Sequence, residues 1–183
     1  MMSRFRVVMA ATAALLLFCL VIGGCSGRET RDPERYYDDE RGFSVLFPDE
    51  WMLKKGDGEN DPFIEATSAW ENDLDEFSEY VTVDVERLPS KMSLEEYFES
   101  SLQEQILNLP NFSEMDRAEA RLGEIEARYV LFDVDFPEGR NRILGYAMVN
   151  EDRGYLLTFV AEAKKYGQYE TVFKEIAESF RFE

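Results

Sequence analysis

The side chains able to do chemistry in this chain are overwhelmingly carboxylates: 38 Asp and Glu stand against 20 Lys and Arg, with no histidine and two cysteines. Without histidine there is no Ser-His or Cys-His nucleophilic site and no usual zinc or haem ligand set. Carboxylates leave two options, hard-cation binding and acid–base hydrolysis. Asp133 and Asp135 share one side of an extended stretch with Glu138 in the adjoining turn, which makes them the candidate oxygen donors for a divalent cation in a cleft between sheet and helix. The plain reading of the same residues is a wet sheet face kept soluble by charge. Asn72-Asp73-Leu74-Asp75-Glu76 also gathers oxygen donors, but lacks the spacing and glycine of an EF-hand loop and reads as a solvated acidic loop. Paired carboxylates also run glycoside hydrolysis; in so acidic a chain such pairs are too common to single one out, so a carboxylate hydrolase ranks last. Gly56-Asp57-Gly58 lacks the context of a phosphate loop, and Trp51 is expected to close one end of a core rather than line a cleft. No catalytic residue and no cofactor is therefore assigned.

The most specific chemistry belongs to Cys25. Arg4 and Arg6 open the chain, Val7 to Ile22 is nearly unbroken apolar sequence, and Gly23-Gly24 precede Cys25. That order resembles the bacterial lipobox, which implies diacylglyceryl attachment to the Cys25 thiol and removal of residues 1–24 as a signal peptide. The apolar run is short for a membrane span, and Phe5 between the arginines argues against the twin-arginine route. Ser26 is not the aspartate that retains such proteins in the inner membrane, so the periplasmic leaflet of the outer membrane is expected, or the outer face of the cytoplasmic membrane in a cell with one membrane.

Residues 25–34 then read as a lipidated cysteine with a flexible tether, since Ser26 to Glu34 is polar and contains Pro33. Extended, that stretch reaches about 30 Å. The net charge of −18 makes nucleic acid a poor partner and sets the domain off from anionic headgroups. The expected partners are the membrane, through the lipid, and an envelope protein.

Residues 35–183 have the length of a single domain, and with 14 Phe, 9 Tyr and 2 Trp in the chain a core held without disulfides is feasible. Period-two alternation predicts strands over Phe43–Phe47, Ile64–Ala69, Tyr80–Leu88, Asp116–Leu122, Ile125–Phe136, Arg140–Val149 and Gly154–Ala161. Tyr155 to Ala161 is apolar on both faces, so both sides of the sheet must be covered there. Ser93-Leu94-Glu95-Glu96 forms a capping box that starts a helix, with apolar positions running to Leu109 before Pro110. Tyr166–Phe180 supplies a second helix. Two helices on a mainly antiparallel sheet of six or seven strands make an α+β sandwich.

Four segments in order carry a family resemblance: Gly42-Phe43-Ser44-Val45-Leu46-Phe47-Pro48 with Trp51; Met92-Ser93-Leu94-Glu95-Glu96; Arg153-Gly154-Tyr155-Leu156-Leu157-Thr158-Phe159; and Ile176-Ala177-Glu178-Ser179-Phe180-Arg181-Phe182. They resemble the PsbP-like superfamily, which includes DcrB-like bacterial lipoproteins. The resemblance implies an α-β-α sandwich around an antiparallel sheet and a noncatalytic accessory, assembly or binding role in the envelope. It carries no metal ligand onto any position here. The alternative function is small-ligand or divalent-cation binding.

Overall fold

The computed structural model describes residues 31–56, 62–70, 77–89, 91–106, 109–137 and 139–183. Arg31–Glu183 forms one compact unit. Its strands are β1 (Arg35–Asp38), β2 (Phe43–Leu46), β3 (Met52–Lys55), β4 (Ile64–Thr67), β5 (Tyr80–Arg87), β6 (Ser113–Leu122), β7 (Ile125–Phe136), β8 (Gly139–Asn150), β9 (Arg153–Glu162) and β10 (Arg181–Phe182). Its helices are α1 (Leu94–Ser101), continued by a π-helical turn over Leu102–Ile106, and α2 (Tyr166–Ser179). Seven strands form the main sheet in the order β3-β4-β5-β9-β8-β7-β6, and β1-β2-β10 form a small second sheet. Every strand pair is antiparallel.

The layers follow from strand alternation. Val81 and Val83 of β5, with Tyr155, Leu157, Phe159 and Ala161 of β9, point to one face and bury against α2 and the small sheet. Val130, Phe132 and Val134 of β7, Ile143 and Ala147 of β8, and Val160 of β9 point to the other and bury against Tyr97, Phe98 and Leu102. β9 is central and covered on both sides, as its two apolar faces require. On the α2 side the rings of Phe43 and Phe180 stack with centroids 5.6 Å apart, and Phe173 lies 5.0 Å from Phe159. Each fully buried ring contributes about 1.5–3 kcal/mol of apolar transfer.

Three short strands, β1, β3 and β10, were not predicted, and the first helix is shorter than its apolar spacing suggested. β3 is four exposed residues, MLKK, whose alternation is invisible because neither side of this edge strand is covered. The helix ends at Ser101 because the backbone widens into the π turn. Phe180 leaves α2 in an extended conformation (φ −61°, ψ 138°) and leads into β10, which pairs Phe182 with Phe43.

Candidate functional site

The site with the most chemistry lies between α1 and the main sheet. Local sequence builds α1: Ser93 Oγ accepts from the Glu96 amide at 3.2 Å, and Glu96 Oε2 accepts from the Ser93 amide at 2.8 Å. Register builds the floor. Facing α1, successive cross-strand rows hold Thr82, Thr158, Gly145 and Val130; then Asp84, Leu156, Ala147 and Arg128; then Glu86, Gly154 and Val149.

Tyr97 locks helix to floor. It is 2 % exposed, and its ring lies so close to Gly154 that a Cβ there would sit 2.3 Å from Tyr97 Cζ. Because Glu86 is the cross-strand neighbour of Gly154, a ring resting on Gly154 brings its hydroxyl to Glu86. Burial first, then the Glu86 charge and contact with its carboxylate, push the Tyr97 hydroxyl pKa well up, with Ser101 opposing. One row in, burial pushes the Asp84 carboxyl up to about 6, with Thr82 opposing through a weak hydroxyl contact and the Glu86 charge adding to the rise. On the other flank Arg128 forms an ion pair with Glu95 and lies 5.4 Å from the Phe98 ring centroid.

Between these flanks the helix does not fill the floor. A cavity of about 160 Å³ remains, bounded above by Phe98, Ser101 and Leu102 and below by Gly145, Thr158 and Val130.

Asp133 and Asp135 lie elsewhere. Both point away from α1, and the β7–β8 register sets Asp133 opposite Arg142 and Asp135 opposite Arg140. Asp133 accepts from Arg142 Nε at 2.8 Å and from Arg140 Nε at 3.2 Å, and the Arg142 guanidinium foremost holds its carboxyl below the usual aspartate range. Asp135 accepts from Asn111 Nδ2 at 3.0 Å. The two carboxylates are thus built into cross-strand ion pairs and amide contacts, a different use of the oxygens from the cation cage the spacing suggested. Among the described residues no three Asp, Glu, His or Cys side chains gather as a metal site. Glu138, Cys25, the stretch 72–76 and the 57–58 part of the glycine turn lie outside the described residues. Trp51 is in the core, edge-on to Phe173 with centroids 6.4 Å apart. Sequence reasoning missed Asp84, Tyr97 and Gly145; a mid-strand glycine between Leu144 and Tyr146 was the available signal.

A second surface feature is the β3 edge, where Met52 and Leu53 are exposed, with Trp70 exposed just beyond the end of β4. Among the described residues no helix is long and apolar enough to cross a membrane.

The PsbP family profile matches residues 32–182. Among solved structures, the cyanobacterial PsbP protein CyanoP from Synechocystis sp. PCC 6803 is similar with a TM-score of 0.63 and 15 % identity, covering 88 % of this chain and 99 % of its own. LpqN of Mycobacterium tuberculosis, a protein involved in cell envelope biogenesis, has a TM-score of 0.58 and 14 % identity over 80 % of this chain and 87 % of its own. PA94 of Pseudomonas aeruginosa, of unknown function, has a TM-score of 0.55 and 10 % identity over 79 % and 93 %. No curated protein matches the sequence. At these identities the structural likenesses speak for the fold, and they agree with the profile, the two helices and the antiparallel sheet: the chain belongs to the PsbP family.

Proposed function

We propose that this protein is an exported, noncatalytic lipoprotein of the cell envelope. Lipid on Cys25 anchors it to a membrane, and its PsbP domain binds or stabilises another envelope protein. The observation that carries the reading is the pairing of a complete lipobox-like segment ending at Cys25 with a PsbP domain that starts a few residues later. The lack of histidine removes most nucleophilic and metal-assisted catalysis, and the Asp133 ion pairs favour a structural use of the best carboxylate cluster. The similarity to LpqN adds support by analogy of fold. Where the cell has an outer membrane, the reading puts the protein on its periplasmic leaflet.

Labelled palmitate tests the anchor. Incorporation into the natural chain and loss in Cys25→Ala is the expected result; equal labelling of both removes the lipoprotein reading. For the partner, a photo-crosslinking residue at Met52, on the exposed β3 edge, should yield one reproducible adduct in whole envelopes, and the same residue at Glu126 should not. Absence of any adduct from cells that express the protein well counts against a partner-binding role.

A further inference from the structure

The floor beneath α1 is missing one side chain at its centre. Gly145 sits mid-strand in β8, between Val130 of β7 and Thr158 of β9. Its backbone is outside the left-handed region, and a Cβ added there would meet only Val130 Cγ1, at 3.8 Å, an ordinary contact distance. Neither strain nor crowding calls for glycine at this position. Glycine inside a strand weakens it and characteristically marks close approach by another group. Among the described residues no other group makes that approach: the space above Gly145 is the cavity under α1.

We propose that this cavity is a binding pocket for a small uncharged molecule whose body is a single six-membered ring or a compact branched alkyl group, carrying one hydroxyl-type group. This goes beyond the envelope role and does not depend on the lipid anchor. Size sets the part of the molecule that enters, since the volume of this half-open space, about 160 Å³, is close to the roughly 150 Å³ apolar cavity known to take up benzene. The lining sets the polarity: Phe98, Leu102, Val130, Ile143 and Leu156 are apolar, and among the described residues no charged side chain borders the space. Two hydroxyls complete it. Thr158 projects toward α1 from the floor by strand alternation, and Ser101 borders the cavity from the roof. The roof also changes from α to π hydrogen bonding at Leu102, the kind of local widening that recurs at ligand sites. Asp84 and Glu86, one and two rows away, disfavour an anionic ligand.

Phenol and toluene serve as matched probes, titrated separately into the full chain with backbone-amide and methyl NMR as the readout. Saturable shifts centred on Gly145, Ala147, Thr158 and Leu102 are expected with both. Gly145→Val should weaken phenol binding by at least roughly tenfold, and Thr158→Val should weaken phenol while leaving toluene nearly unchanged. If Gly145→Val fails to fold, Gly145→Ala, whose Cβ has room, must still weaken both probes. Non-saturating shifts, shifts spread over the surface, or binding unaffected by the Gly145 substitutions would show the cavity to be a packing gap and overturn the proposal.

Discussion

Asp84 and Asp133 are two aspartates of one sheet with opposite titration behaviour. Asp84 is desolvated beneath α1 and binds a proton more tightly in the folded chain than in the unfolded one, up to about 6 against an ordinary 3.8. The folded state therefore holds more protons than the unfolded state across that window, and the Asp84 contribution to stability falls as pH rises through it. Asp84→Asn should flatten this part of a urea-midpoint profile and raise stability near neutrality by about 1–2 kcal/mol. Asp133 is the reverse case, a carboxylate held down by Arg142 and Arg140, so its contribution is present at neutral pH and lost as pH falls below the ordinary aspartate range. Asp133→Asn should cost about 1–2 kcal/mol at neutral pH, with the difference shrinking in acid, as read by chemical denaturation at two pH values. The Asp133–Asp135 pair was legible from period-two spacing. Its arginine partners were not read from the sequence, although a tight turn between the two strands sets which residues stand opposite, Arg142 to Asp133 and Arg140 to Asp135. Asp84 was not legible, since its desolvation comes from a helix packed across the sheet, and alternation alone reports only that a face exists.

The helix α1 depends on two contacts of different kinds. Its start is local: Ser93→Ala removes the cap and should cost about 1 kcal/mol in urea unfolding. Its seat is tertiary, the ring of Tyr97 against bare backbone at Gly154. Gly154→Ala should destabilise by about 2 kcal/mol or more and release α1, seen as loss of amide exchange protection over Leu94–Ser101; adding Tyr97→Leu should recover part of the loss. The capping box fixed the helix start from sequence because its hydrogen bonds join residues three apart. The helix end was misplaced because apolar spacing from Leu94 to Leu109 continues past the point where the backbone leaves the α ladder. The long hairpin strands β7, β8 and β9 were read to within a residue, since each carries at least one clean buried face. The strands β1 and β3 carry no buried–exposed alternation, β1 being half-buried and β3 exposed throughout, and β10 has only two residues.

For the whole molecule, charge and topology dominate. A net charge of −18 works against the compact state through self-repulsion, so added sodium chloride should raise the thermal midpoint, measured by circular dichroism, before any specific ion effect enters. The α-β-α layering was legible because the doubly apolar β9 demands cover on both faces, and helical periods supplied one cover for each. The separate three-stranded sheet was not, because it joins segments from opposite ends of the domain. In that sheet β2 is flanked on one side by β1 and on the other by β10, with Glu183 donating its amide to the Gly42 carbonyl at 3.1 Å. The second edge of β2 is therefore satisfied by Arg181 and Phe182, which are far from it in sequence. The small sheet is thus a long-range pairing, whose loop-closure entropy must be met before its contacts add stability.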